Sequence, residues 1–282
     1  MTRLWCNGQW MDLKDFPASP TDRGVTLGLG LFETILAVDG TPVFVQEHLT
    51  RLRASCERLG WHLPIPDLSV EMRKLLQNNN ISSGRSRIRL SISSGSGPVH
   101  SVSLGADHVI WMHATHACIP PNTTTALLSP FVKNERSALA GLKCMSYAEN
   151  ILALEHAGRL GYEEAIFLNT AGHVCEAATS NVFLVINGKV LTPPLESGCL
   201  PGITREVIIG LASQARIPCE TRTLTPEELS GADEVFLTSS IRGVMGISRL
   251  GDRDLVEDVT TGILREAWDR HLTQQITTGS SF

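Results

Sequence analysis

A two-domain chain of mixed helix and strand, α+β in composition with α/β stretches, is predicted by three observations. The 282 residues suit one large domain or two ordinary ones, each with a proper core. Period-two alternation recurs along the chain, interrupted by segments whose apolar residues return at helical spacing. Between them, Cys118-Ile119-Pro120-Pro121-Asn122-Thr123 breaks every periodicity at once. The boundary is therefore set there: a small N-terminal domain over residues 1–118, a linker over 119–124 and a larger C-terminal domain over 125–282.

The elements follow in order. Trp5-Cys6-Asn7-Gly8-Gln9-Trp10 is a hairpin, because Asn-Gly supplies the positive φ angles of a two-residue turn. Asp39-Gly40 joins a second one, Phe32 to Val38 with Pro42-Val43-Phe44-Val45. Glu47 to Leu59 carries Leu49, Leu52, Cys56 and Leu59 on one stripe and is a helix. From Arg85 to Ser93, Ile88, Leu90 and Ile92 share one strand face, and Arg87, Arg89, Ser91 and Ser93 the other. Val109-Ile110-Trp111-Met112 adds a strand. The second half opens with a strand near Ala126-Leu127-Leu128, a loop to Lys143 and a helix from Tyr147 to Leu160. Strands at Glu164 to Leu168, Asn181 to Ile186 and Val190 to Thr192 are joined by glycine-containing turns such as Asn187-Gly188. Helices are expected from Gly202 to Ala215 and from Pro226, then a strand over Glu234 to Thr238 and a closing helix from Val256 to Leu272. The tail from Gln274 to Phe282 is expected to be disordered.

Composition narrows the class of function. A net charge of −5 with 42% hydrophobic and 19% charged residues describes an ordinary globular protein, with no basic arm for nucleic acid or a membrane surface. The longest apolar runs, such as Val182 to Ile186, are strand-length, and no secretory segment opens the chain, so the cytoplasm is expected. Seven scattered cysteines without a CxxC pair, and nine dispersed histidines, argue against a disulfide framework and a metal site. The cysteines are expected to be small buried hydrophobes.

Chemistry concentrates at two places. Only five lysines stand against nineteen arginines, and Lys143 alone lies in a run, Ser137 to Ala148, with no other charge. An apolar pocket penalises the ammonium form, which is what a Schiff-base lysine needs; the other four lysines are expected to be solvated. Glu176, in Val174-Cys175-Glu176-Ala177-Ala178-Thr179-Ser180-Asn181, is a candidate partner for a pyridine nitrogen. A structural ion pair and a strand-ending glutamate are the plainer alternative. Donors for a phosphate are offered by Pro201-Gly202-Ile203-Thr204 at a helix entrance, by Thr238-Ser239-Ser240 after a strand and by Arg51; taken alone, the first two are more often an ordinary cap or turn.

In this order these segments resemble the class IV aminotransferases, the fold-type IV pyridoxal phosphate enzymes, over nearly the whole chain. The resemblance rests on Asp22-Arg23-Gly24 and Gly28-Leu29-Gly30-Leu31-Phe32-Glu33-Thr34, on Glu47 to Leu52, on Ala140-Gly141-Leu142-Lys143, on Glu176 to Phe183, on Leu200 to Arg205 and on Val235 to Thr238. It implies a small N-terminal α/β domain and a larger β-barrel-like C-terminal domain with flanking helices. It implies pyridoxal 5'-phosphate bound to Lys143, Glu176 on the pyridine nitrogen, and Arg51, Ile203, Thr204, Ser239 and Ser240 on the phosphate. A homodimer with the active site at its interface is implied too. Leu29 departs from the family's usual aspartate, and an altered loop is expected there.

Three activities compete within the family: branched-chain transamination, D-amino acid transamination, and elimination of pyruvate from 4-amino-4-deoxychorismate. Asn134 to Lys143 with Ser146 to Ala153 resembles the lyase form, as does Thr238-Ser239-Ser240-Ile241-Arg242-Gly243-Val244. Ser94 stands where D-amino acid enzymes place a carboxylate-binding arginine. Met245-Gly246-Ile247 departs from the arginine and proline usual there. The lyase is the expected activity, a transaminase the alternative, and a protein that keeps the cofactor without turnover the second alternative. The substrate is expected to be a small amine bearing a carboxylate, with Arg87 and Arg89 as its clamp and Phe32 beside the cofactor, though a solvated strand face and a core aromatic fit equally. Tyr147 is expected to be structural.

Overall fold

The computed structural model describes residues 2–255 and 258–279. The chain forms two compact units, one of Met1–Ile119, Leu142–Tyr147 and Leu272–Phe282, the other of Pro120–Gly141 and Ala148–His271. A single break at 119–124 thus does not describe the division, because six residues around Lys143 belong with the first unit.

The first unit contains β1 (Arg3–Cys6), β2 (Gln9–Asp12), the short α1 (Arg23–Thr26), β3 (Gly30–Val38), β4 (Thr41–Pro42), α2 (Val45–Arg58), α3 (Ser69–Asn78), β5 (Arg85–Ser93) and β6 (Val109–His116). Among the described residues its six strands form one antiparallel sheet in the order β2-β1-β6-β5-β3-β4. Both tight turns have the left-handed pairs that their sequences require, Asn7 and Gly8 at φ 45° and 86°, Asp39 and Gly40 at 46° and 76°. Alternation puts Leu31, Ile35 and Ala37 of β3, Ile88, Leu90 and Ile92 of β5 and Met112 of β6 on one face, packed on Leu49, Leu52 and Cys56 of α2 and Met72, Leu75 and Leu76 of α3. Each fully buried Leu, Ile or Met side chain among them contributes about 1.5–3 kcal/mol.

The expected second hairpin is shorter. Only Thr41 and Pro42 pair with β3, Phe44 turns into the left-handed region at φ 56°, and the helix starts at Val45. Starting the helix there buries Val43, Phe44 and Val45 without a longer strand. The first residues of β3 consequently lack a neighbour from β4, and the lysine segment fills the place. Phe32 N–H donates to the Lys143 carbonyl at 2.9 Å, Met145 N–H donates to the Gly30 carbonyl at 2.8 Å, and Leu31 and Cys144 form an antiparallel bridge.

The second unit holds β7 (Thr123–Lys133), α4 (Ala148–Arg159), β8 (Glu164–Asn169), β9 (Val174–Ala177), β10 (Asn181–Ile186), β11 (Lys189–Thr192), α5 (Ile203–Gln214), β12 (Cys219–Thr221), α6 (Pro226–Gly231), β13 (Glu234–Ser239), β14 (Gly243–Leu250) and β15 (Arg253–Asp254). Helix α7 spans Val259–Gly279. Eight strands run in the order β12-β11-β10-β13-β14-β7-β8-β9, with β15 beside β14, among the described residues. The sheet curls: Ala126, Ile166, Val174, Ala177, Val182, Leu184, Leu191, Val235, Leu237 and Ile247 share one core although β9 ends the strand order. On the other face Leu127, Ala165, Phe167 and Cys175 pack on Ala153 and Ala157 of α4.

Three expectations are corrected. The tail is helical from Gln274 to Gly279, while 280–282, like Val256 and Glu257, lie outside the described residues. Cys118 is exposed and Cys219 half-buried, whereas the other five cysteines are buried. Lys133 is not solvated: its ammonium lies 4.9 Å from the Phe167 ring centroid and donates to Asn150 Oδ1 at 2.8 Å.

Candidate active site

In the first unit, pairing with β3 fixes the Lys143 backbone, and the side chain reaches over the sheet face opposite the helices. Its Nζ lies 4.6 Å from the centroid of Phe32 and 5.7 Å from that of Tyr147, two rings that meet edge to face at 5.5 Å. Aromatic rings attract a cation and exclude water without offering a carboxylate. Arg89 stacks on the same ring, Cζ 3.6 Å from the Phe32 centroid. The register sets Thr34 beside Arg89, Leu36 beside Arg87 and Arg89 beside His113, so Phe32, Arg87, Arg89 and His113 share this face. Burial pushes the His113 imidazole down from its usual value and Arg89 adds to that, which keeps the ring neutral near pH 7. Sequence reading passed over His113, although the alternation of β6 contains it.

Glu33 occupies the core face of β3, between Leu31 and Ile35, and is buried there. Its Oε2 binds His48 Nδ1 at 2.7 Å and Arg51 Nη2 at 2.5 Å, and its Oε1 accepts from Arg51 Nε at 2.8 Å. Burial alone would raise this carboxyl, but Arg51 and His48 outweigh it and hold it at about 2. Burial lowers His48 despite its bond to Glu33. Arg51 is thus anchored by a bidentate ion pair and approaches β3 from the side opposite Arg89. A glutamate at a core position of an alternating strand, with His48 and Arg51 spaced three apart on a helix, was the legible sign of this group.

In the second unit, Glu176 is the penultimate residue of β9, and its Oε2 accepts from the Leu200 N–H at 2.9 Å. Lys133, which sequence reading missed, comes within 4.0 Å of Oε1. The Leu200 carbonyl in turn accepts from Asn181 Nδ2 at 2.8 Å. A Cβ at Gly202 would overlap Asn181 Oδ1, so glycine is required for the loop to pass. Gly202 is the N-cap of α5 and supplies no side-chain cap, while Ile203 and Thr204 form the first turn. Asn181 pairs in register with Thr238, which ties the end of β13 to this helix entrance. Ser239 Oγ accepts from the Arg242 N–H at 3.3 Å, shaping the turn that contains Ser240.

A phosphate fits these residues. Ser180 Oγ, Thr204 Oγ1 and Thr238 Oγ1 are buried without a hydrogen-bond partner. Buried hydroxyls left unpaired beside an uncapped helix N-terminus are costly unless a strong acceptor takes them, and a phosphate dianion is one. The sequence-predicted residues thus fall into two groups. The first unit brings together Lys143, Phe32, Arg87 and Arg89, and holds Arg51 on its other sheet face. The second brings together Glu176, Ile203, Thr204, Ser239 and Ser240.

A sequence model of the family described as amino-transferase class IV matches residues 30–250. D-alanine aminotransferase from Staphylococcus epidermidis is 31% identical over 269 residues, 94% of each chain. Aminodeoxychorismate lyase from Bacillus subtilis is 29% identical over 252 residues, 88% of this chain and 86% of that one. The crystal structure of a branched-chain aminotransferase from Thermoproteus uzoniensis with norvaline superposes with a TM-score of 0.87 at 26% identity, covering 97% of this chain and 95% of that one.

Proposed function

Since the chain belongs to amino-transferase class IV, a family of pyridoxal 5'-phosphate enzymes, we propose that it is a 4-amino-4-deoxychorismate lyase, releasing pyruvate and 4-aminobenzoate. The observation that carries the lysine assignment is the Lys143 ammonium held over Phe32 and Tyr147 on a face that also presents Arg89. When bound, the cofactor supplies an aldehyde that condenses with amines and a ring that spreads the negative charge left on the substrate carbon.

The chain's own residues do the rest. Lys143 Nζ would hold the cofactor aldehyde and, once the substrate amine has displaced it, would take the proton removed from the amine-bearing carbon. Glu176, with Oε2 fixed by Leu200, holds a proton at the ring nitrogen. Ile203 and Thr204 at the entrance of α5, together with Ser239, Ser240 and Arg51, bind the phosphate, and the hydroxyls of Ser180 and Thr238 join them. Arg87 and Arg89 receive a substrate carboxylate, and Phe32 packs beside the cofactor.

The lyase reading is supported by the segments Asn134 to Lys143 and Thr238 to Val244, by the relative from Bacillus subtilis, and by Ser94, fully buried where a D-amino acid enzyme has arginine. A transaminase is the second reading, favoured by the D-alanine aminotransferase and branched-chain relatives. Purified enzyme given 4-amino-4-deoxychorismate should release pyruvate, while D-alanine, valine and leucine should leave its visible absorbance unchanged. Conversion of the cofactor to its amine form by any of these amino acids, without pyruvate release from the chorismate derivative, selects the transaminase.

The enzyme is proposed to work as a cytoplasmic homodimer in folate biosynthesis. No helix among the described residues is long and apolar enough to cross a membrane. Leu128, Phe131 and Val132 of β7 and Ile151 and Leu152 of α4 stand exposed on packed neighbours, an apolar surface that a second copy would cover.

A further inference from the structure

We propose that Arg242 is an anion receptor for a carboxylate of the substrate, held ready by the buried Glu164. Arg242 closes the turn Ser239-Ser240-Ile241, and its backbone N–H is spent on Ser239 Oγ at 3.3 Å. Gly243 follows at φ 66°, where a side chain would press on the Trp268 indole, so the turn has little room to shift. The guanidinium donates from Nη1 to Glu164 Oε2 at 3.4 Å. No other group among the described residues takes a hydrogen bond from it, and the side chain is 33% exposed.

Glu164 is the unusual partner. Its carboxylate is completely buried at the start of β8 and is also bound by Thr179 Oγ1 at 2.5 Å. Burial pushes its carboxyl up, against Thr179 and Arg242, so desolvation alone would favour a neutral acid needing no cation. A guanidinium placed there still offers Nε and Nη2, two donors in the planar fork that matches a carboxylate. Glu164 clamps two turns at once: the one at Thr179, which leads into Ser180 and Asn181, and the one at Arg242. Both border the hydroxyls assigned to the cofactor phosphate.

This inference rests on that phosphate assignment, and an anionic oxygen pair could come from either source, the phosphate or a carboxylate. Two titrations separate them. Calorimetry of the cofactor-loaded enzyme with succinate is expected to give a dissociation constant about tenfold to a hundredfold weaker for Arg242→Met, partly recovered in Arg242→Lys. Binding of pyridoxal 5'-phosphate to the cofactor-free chain, followed by tryptophan fluorescence, should stay within about twofold of the unsubstituted protein in both variants. Glu164→Gln should weaken succinate in the same direction, because it loosens the guanidinium.

Unchanged succinate binding in Arg242→Met, or no measurable succinate binding to the unsubstituted enzyme, overturns the proposal. So does weakened cofactor binding with succinate unaffected, which would give the anion to the phosphate. Failure of the underlying assignment looks different: the unsubstituted chain then binds no pyridoxal 5'-phosphate at all, before any variant is made.

Discussion

Glu33 ties the acid stability of the fold to one buried carboxylate. Its folded value of about 2 lies below the roughly 4.3 of an unfolded glutamate, so its stabilisation is complete above that pH and is lost as pH falls through about 2. His48 acts in the same sense: held low by burial, it disfavours the folded state once pH drops below its unfolded value of about 6.5. Glu33→Gln should therefore lose about 3–5 kcal/mol at pH 7 in urea unfolding and show a flatter acid limb; equal stability at pH 7 would mean the pair is dispensable. Lys143→Ala should abolish the visible absorbance of the bound cofactor together with turnover. Glu176→Gln should keep the cofactor but cut turnover about a hundredfold or more, measured under saturating cofactor. Lys143 and Glu176 could be proposed from the sequence because Lys143 stands in an uncharged run and Glu176 in an ordered strand-end motif. Lys133 was not, since nothing local to Phe131-Val132-Lys133 reveals that β7 carries it to Phe167 and Glu176.

At the scale of elements, legibility followed local chemistry. The hairpins at Asn7-Gly8 and Asp39-Gly40 were readable because positive φ demands those residues. The stripe of α2 was readable because Leu49, Leu52 and Cys56 return every three or four positions. Helix α3 was missed, since its ten residues bury only Met72, Leu75 and Leu76, too few repeats for a period to declare itself. Strand β14 was missed because Gly243 and Gly246 interrupt its apolar run, although Gly246 faces Phe236 in register. Gly30 marks where β3 and the lysine segment come together. A Cβ there would overlap Met145 Sδ and approach the Ile92 carbonyl to 2.7 Å. Gly30→Val should displace Met145 and with it Lys143, so the cofactor absorbance should fall even where circular dichroism shows the sheet retained. Gly202→Ala should destabilise the entrance of α5 by about 1–3 kcal/mol and weaken the cofactor, read from melting temperature and fluorescence titration.

For the molecule as a whole, the mixed helix-and-strand class and the curled second sheet agree with the reading from sequence, and the 97% coverage of a solved branched-chain aminotransferase gives the same fold. What no period could show is that Leu142–Tyr147 belongs to the first unit, because that membership depends on a few backbone bonds with no hydrophobic pattern of their own. Assembly is testable directly: sedimentation should give a dimer, and Leu152→Glu, which puts a charge on the exposed apolar surface, should shift it toward the monomer. A dimer unaffected by Leu152→Glu would place the contact elsewhere. The pairing of β3 with residues 143–145 also sets a schedule on the ribosome. The edge at Gly30 to Phe32 emerges early, and its partner is made about a hundred residues later, about 5–20 seconds at elongation speeds of about 5–20 residues per second. During that interval the nascent sheet shows an open rim of the kind that invites foreign strands. A chaperone or a fast-translating message would shorten the exposure, and synonymous codons that slow synthesis between Val38 and Lys143 should raise the insoluble fraction.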